Sequence, residues 1–381
     1  MDLTSLRTEI NAIDDEMVKL FLRRMALMDD VAETKRQAHA PVLDPARERE
    51  ILSRVAAEVG PELENGARLF FATLFDISRS RQRAALASGG GLADEVAAAL
   101  AATPDRFPTR AMVACQGAEG AYSQQAACHL FPFPSILYFN TFDDVFAAVE
   151  KGMCPYGMLP IENSAAGSVA AIYDLMVQHH FHIARAIRQR IDHVLLAPRG
   201  VKLADVREVV SHPHALSQCN GFLKQHAGWA LTPMANTAGA ARALADSGRR
   251  DLAAIASRAC AELYGLDILA DDIADVASNY TRFICISKKL EVYPDASKIS
   301  FMLSLPHRPG ALYEVMSRFA AINVNLTKLE SRPIPGMDFE FRFTFELEGS
   351  PTDARVVQLL GELAADPAIE HFTFLGAYAE S

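Results

Sequence analysis

From Leu3 to Lys35 the chain contains neither glycine nor proline, and Leu3, Leu6, Ile10, Ile13, Met17, Leu20, Leu27 and Val31 recur in steps built from three and four. That spacing defines a single helical stripe. A helix of this length cannot cover its stripe inside a small globule, so it predicts a helical bundle or an intertwined dimer. Asp44-Pro45 supplies an N-cap and a helix-starting proline for a second helix, whose face Ile51, Leu52, Val55 and Val59 ends at Gly60-Pro61. A third helix is predicted from Leu63 to Leu86.

Cations interrupt the apolar stripe. Arg24 and Lys35 fall in register with it, and Arg7 lies beside Leu6 and Ile10. Each alone reads as a side chain that buries its stem and keeps its head in water. Three together on a helical core face need anions to meet them. Glu48 shares the face of Leu52 and Val55 with Arg47 beside it, while Phe71, Phe75, Ser78 and Gln82 form a face that passes from aromatic to polar. The chain as a whole carries 37 Lys plus Arg against 47 Asp plus Glu, a net charge of −10, which argues against a nucleic-acid or anionic-membrane partner. The inward cations therefore point to a small dianion bearing a hydroxyl.

The period changes twice more. Ser88-Gly-Gly-Gly91 closes a first module at residues 1–87, and an Ala-rich helical linker runs over 88–108. Over 109–289 short apolar strands (AMVAC, GMLPI, HVLLA, EVVS, LAAIAS, FICIS) alternate with helical stretches, an α/β pattern. Over 297–378, Ile299, Phe301, Leu303 and Leu305, then Phe339, Phe341, Phe343, Phe345 and Leu347, alternate with polar residues. With helices near 310–321 and 352–364 these give βαββαβ, a ferredoxin-like α+β order. The six cysteines form no C-x-x-C pair, so neither a zinc site nor a disulfide framework is expected. The charged, amphipathic start and the lack of an 18-residue apolar run predict a cytoplasmic protein.

Four polar turns follow strand ends in the middle module: Gly117–Ser123, Gly157–Ser164, Ser211–Cys219 and Asn279–Phe283. Each alone reads as capping. Together they mark a crevice beyond strand C-termini, where ligands of open α/β sheets bind.

These residues carry resemblances. Leu6 to Ile10, Arg23-Arg24, Lys35, Asp44 to Arg49, and Ser78 to Gln82 resemble the all-helical chorismate mutase of bifunctional bacterial P-proteins. The resemblance implies a domain-swapped homodimer, or a higher homo-oligomer. It further implies that Arg7 from the neighbouring subunit and Arg24 bind the carboxylates of chorismate. Lys35 and Gln82 would serve its ether oxygen and Glu48 its hydroxyl, with Asp44, Arg47 and Ser78 in support. G-A-E-G-A-Y-S, G-M-L-P-I-E-N-S, S-H-P-H-A-L-S-Q-C and N-Y-T-R-F resemble prephenate dehydratase, although the first departs from the commoner G-P-x-G-T-F-S at Ala118, Ala121 and Tyr122. That likeness implies two α/β subdomains of the type-II periplasmic-binding-protein kind. Thr281 would be the proton donor to prephenate, and Glu162, Asn163, Ser164, Ser211, Gln218 and Arg282 would line the cleft. R-P-G-A-L and L-E-S-R-P resemble the ACT domain of phenylalanine-regulated dehydratases. They imply an L-phenylalanine site at Gly310, Ala311, Leu312, Glu330, Ser331 and Arg332. No metal or cofactor is expected. Two rival readings stay open: a dehydratase whose helical module only dimerises, and a non-catalytic amino-acid sensor.

Overall fold

The computed structural model describes residues 2–86, 91–276, 278–334, 336 and 340–381. The first module is three helices, α1 (Leu3–Gln37), α2 (Pro45–Val59) and α3 (Glu64–Leu86). Asp2 caps α1 and Asp44 caps α2, each carboxylate accepting from a backbone amide three residues on. Only the far end of α1 packs against its neighbours. Its first half leaves Leu3, Ile10, Ile13, Val18 and Leu20 more than half exposed, and Ala32 is its one buried residue among those described. A single copy of the chain does not cover the stripe that the sequence paints on this helix.

Helix α4 (Leu92–Ala102) follows Ser88–Gly90, which lie outside the described residues. The sequence places it in the linker; the structure packs its Val96 and Ala99 into the hydrophobic core of the C-terminal unit. Then come β1 (Arg110–Gln116), α5 (Tyr122–Leu130), β2 (Phe133–Phe139), α6 (Phe142–Glu150), β3 (Tyr156–Asn163), β4 (Gly167–Ser168), α7 (Ala170–His179) and β5 (His182–Arg190), a first α/β lobe. Two residues later the chain enters a second lobe with β6 (His193–Pro198), β7 (Glu208–Ser211), α8 (Pro213–Gln218), α9 (Asn220–Lys224), β8 (Ala230–Pro233), α10 (Thr237–Ser247), β9 (Leu252–Ser257), α11 (Ala259–Tyr264) and β10 (Leu266–Ala270). It returns through β11 (Tyr280–Ser287), which inserts between β5 and β3 of the first lobe. Two crossings between lobes thus bracket a cleft, as the sequence predicts.

The C-terminal unit is β12 (Lys298–Leu305), α12 (Ala311–Ala321), β13 (Leu326–Pro333), β14 (Phe341–Glu348), α13 (Ala354–Ala364) and β15 (Glu370–Glu380), in antiparallel order β13-β14-β12-β15. This is the ferredoxin-like βαββαβ order; Phe339, expected in its third strand, lies outside the described residues. Its sheet does not stand apart. The end of β15 pairs in parallel with β5 through Ala379 and Glu380, so one ten-stranded sheet runs from the C-terminal unit into the first lobe. Gly376 sits at the crossing with φ of 141°, where a Cβ would lie 2.5 Å from the Ile183 carbonyl oxygen. Only glycine fits there.

The joint is ionic as well as hydrogen-bonded. Arg282 on β11 pairs with Glu346 of β14 and, at 3.3 Å, with Glu380 of β15; Lys298 of β12 binds the same two carboxylates. Burial alone would raise the Glu346 carboxyl, but Arg282 and Lys298 outweigh it and hold its pKa at about 2 against an ordinary 4.5. A pKa depressed on folding contributes stability above the unfolded value, and that contribution is lost as pH falls from about 4.5 to about 2. The difference is worth about 3 kcal/mol. Glu346→Gln should therefore flatten the acid limb of a thermal-unfolding profile in that window; an unchanged limb would remove Glu346 from the account.

Candidate active sites

In the helical module the structure brings together Arg24, Ser78 and Gln82. Arg24 hydrogen-bonds Ser78 Oγ and lies 5.9 Å from the centre of the Phe75 ring. Burial pulls its pKa down, though it remains fully cationic at neutral pH. Gln82 is 5% exposed; its amide nitrogen donates to the Ser78 carbonyl at 3.2 Å, and its Oε1 has no protein partner. A buried amide oxygen without a partner is costly unless a ligand or water completes it. Glu48 is held by Arg79, which also binds Asp76. Lys35 donates to the Val42 carbonyl at the turn after α1. Asp44 acts as the α2 cap, as noted. Arg47 turns outward to Glu50 at 2.8 Å and is exposed, so it does not join the cluster. Arg7 is exposed on the unpacked half of α1.

The cleft between the lobes encloses about 520 Å³. Of the seven residues expected there, Asn163, Gln218 and Thr281 line it; Glu162, Ser164, Ser211 and Arg282 do not. The reason is the strand period. Asn163 pairs with Thr281 across β3 and β11, and Glu162 with Arg282, so the second pair points through the sheet to its other face. There Glu162 meets Lys328 of β13 at 3.2 Å, and Arg282 meets Glu346 and Glu380. Ser211 is fully buried and donates to the Ile255 carbonyl at 2.6 Å, while Ser164 ties its turn to Tyr280, accepting from that amide at 3.0 Å. For these two the capping reading is the right one.

Thr281 is held in a defined orientation. Asn163 Oδ1 accepts from the amides of Ala165 and Ala166, both at 3.0 Å, which fixes the flip of the Asn163 amide. Its Nδ2 then donates to Asn279 Oδ1 at 2.8 Å and to Thr281 Oγ1 at 2.9 Å. Because Thr281 Oγ1 accepts from Asn163, its own proton is left for the cleft. Asn279 stands in the N-Y-T-R-F motif, yet its side chain carries a task that only the folded contact reveals.

No lysine or arginine lines the cavity among the described residues. Instead α5, α7 and α10 begin at it, through Tyr122, Ala170 and Thr237. Neither α5 nor α7 has a side-chain cap hydrogen bond, and the positive ends of their dipoles lie at the cleft. Arg282, expected there, is turned to the other face of the sheet.

In the C-terminal unit, Gly310 (φ 85°) precedes α12, Ala311 is buried and Leu312 is half-buried. Ser331 is exposed. Glu330 accepts from Ser168 Oγ at 2.6 Å, and Arg332 donates to the Ala170 carbonyl at 2.8 Å. Ser168 and Ala170 both line the cleft. The expected effector motif therefore braces the wall of the cleft.

Comparison with known proteins matches the two modules in turn. The family described as prephenate dehydratase matches residues 113–291, and chorismate mutase type II matches residues 6–83. An arogenate dehydratase 2 of Petunia hybrida is 38% identical over 272 residues, covering 67% of this chain and 68% of that protein. A bifunctional chorismate mutase/prephenate dehydratase of Enterobacter agglomerans is 30% identical over 371 residues, covering 95% and 92%. The solved prephenate dehydratase of Arthrobacter aurescens in complex with L-Phe superposes with a TM-score of 0.62 at 31% identity, over 70% of this chain and 89% of that one.

Proposed function

The chain belongs to the prephenate dehydratase family and carries a chorismate mutase type II module ahead of the dehydratase, and we propose that it converts chorismate to prephenate and prephenate to phenylpyruvate, under inhibition by L-phenylalanine.

The observation that carries the second step is the Asn163–Thr281 hydrogen bond, which leaves the hydroxyl proton of Thr281 for a cleft that, among the described residues, no Asp or Glu lines. In prephenate the ring carboxylate leaves as carbon dioxide, and its bonding pair enters the ring. The ring hydroxyl departs on the far side, taking the Thr281 proton to leave as water, and solvent restores the threonine. Aromatisation drives the reaction, so a weak but positioned donor suffices. The first step is a rearrangement that needs neither base nor nucleophile. Arg24 with Ser78 and Gln82 would hold the extended anion in its compact conformer and meet charge on the breaking ether oxygen. Phenylpyruvate formed from chorismate by the purified protein is the test. Prephenate alone would retire the dehydratase reading; no reaction would retire the mutase reading, and prephenate supplied directly would then test the dehydratase. Arogenate, named for the Petunia relative, is the comparison substrate.

The assembly we propose is a homodimer in the cytoplasm, its helical modules exchanging α1. Support comes from the uncovered stripe on α1 and from distance: Arg7 and Lys35 are 28 positions apart, about 42 Å along one helix. No single small-molecule site on one straight helix spans that. Mixed subunits of Arg7→Ala and Lys35→Ala should regain part of the mutase activity that each lacks alone, because one of the two sites in the heterodimer is then intact. Verified heterodimers without any recovery would sink the shared site.

A further inference from the structure

The cleft contains a buried imidazole to which the reaction above gives no task. His193, first residue of β6, is 3% exposed and lines the cavity. Its Nε2 lies 3.0 Å from Gln218 Oε1, and its Nδ1 lies 3.2 Å from Tyr122 Oη, which also donates to the Asp192 carbonyl at 2.7 Å. Gln218 Nε2 in turn lies 3.4 Å from Asn163 Oδ1.

The directions of the Asn163–Gln218–His193 bonds follow from the backbone at the Asn163 end. The amides of Ala165 and Ala166 fix Asn163 Oδ1 as an acceptor. Gln218 must then turn its NH2 toward Asn163, since its oxygen would face another oxygen. That leaves Gln218 Oε1 toward the imidazole, and an amide oxygen only accepts. His193 must therefore carry a proton on Nε2. Burial pushes its pKa down, so the ring is neutral, and its Nδ1 lone pair takes the one Tyr122 proton in a three-centre bond shared with the Asp192 carbonyl.

Resting on the dehydratase reading of this cleft, we infer that His193 is a positioning residue for dehydration: its Nε2–H locks the Gln218 amide so that Gln218 presents N–H donors, not its carbonyl, to the acidic substrate. A freely turning amide would offer an oxygen to a carboxylate or a departing hydroxyl in part of the population. The Tyr122 hydroxyl supports the opposite edge of the ring and holds its plane.

The test compares His193→Met with His193→Gln in the full chain; the two side chains have similar reach, but only glutamine can donate. His193→Met should lower kcat/KM for prephenate by about 100-fold, the scale of a misplaced binding group. His193→Gln should recover about tenfold of that, one hydrogen bond's worth. Because the effect passes through Gln218, adding His193→Met to a Gln218→Met chain should cost no more than about twofold. An equal loss in both backgrounds would mean that His193 only supports the fold, and would overturn the inference. So would His193→Met turnover within about twofold of wild type. Thermal unfolding is followed for each variant. Should His193→Met melt below the assay temperature, His193→Gln must keep turnover within about tenfold of wild type, and a larger loss overturns the inference. Wild-type protein that fails to dehydrate prephenate would instead overturn the reading of the cleft itself.

Discussion

Thr281→Ala should lower prephenate turnover by about 10²–10⁴-fold, the range for a lost general acid, while chorismate rearrangement stays at the wild-type rate. Arg24→Ala should do the reverse, costing the mutase about 10²-fold or more and sparing the dehydratase. The separation follows from geometry: Thr281 sits on β11 between two lobes, and Arg24 on α1 touches α3. The threonine variant is also mild for the fold. The site is 8% exposed, the change removes one hydroxyl and one methyl, and Asn163 Nδ2 keeps Asn279 Oδ1 and the Tyr280 carbonyl as partners. Initial rates on both substrates, measured on one preparation, decide it. Near wild-type dehydration by Thr281→Ala would remove it as the donor. A mutase that survives Arg24→Ala would remove Arg24 from the site, whereas a wild-type chain without mutase activity would favour a helical module that only dimerises.

Much of this architecture is legible in local chemistry. Period-3.6 stripes, the Asp44-Pro45 start and the Gly60-Pro61 stop define three helices, and alternation in Ile299–Leu305 and Phe341–Leu347 defines two strands. Strand β5 escapes such reading because Arg185, Arg188 and Arg190 break its apolar pattern. Arg185 is nonetheless buried, paired with Asp295 at 2.7 Å and stacked 5.0 Å from the Phe107 and Tyr293 rings. Motifs also name the right neighbourhood without the right face. T-R-F and the Glu-Asn of E-N-S each place consecutive residues on one strand, so Arg282 and Glu162 point away from the cleft. What waits on the other side, a carboxylate pair for Arg282 and Lys328 for Glu162, comes from more than 45 residues away in sequence. No local signal carries that. The same holds for α4, adjacent in sequence to the helical module but packed into the C-terminal core. It holds too for His193 and Asn279, whose roles exist only as links in a row of hydrogen bonds.

The shared sheet changes what regulation by L-phenylalanine requires. A ligand shifts an equilibrium only by its differential affinity for two states, so the C-terminal unit must move something in the cleft. Two contacts reach it. Glu330 and Arg332 hold Ser168 and Ala170 at the cleft wall, and Glu346 with Glu380 holds Arg282, the residue next to Thr281 on β11. Cutting off the C-terminal unit would be a poor test, because it strips β15 from β5 and removes both carboxylates that Arg282 pairs with. Arg282→Lys is better. It keeps the charge and withdraws the longer guanidinium, whose Nη2 meets both carboxylates. Coupling between sites typically amounts to 1–3 kcal/mol, or about 5–150-fold in affinity. In Arg282→Lys that factor should fall toward unity while phenylalanine still binds, since Gly310–Leu312 and Glu330–Arg332 are untouched. Reciprocity makes the result checkable from either end. In the wild type a dehydratase-site ligand should weaken phenylalanine binding in calorimetry, and in Arg282→Lys it should not. Equal coupling in both proteins would mean that β11 is not the route, and Ser168→Ala would then isolate the contact at the cleft wall.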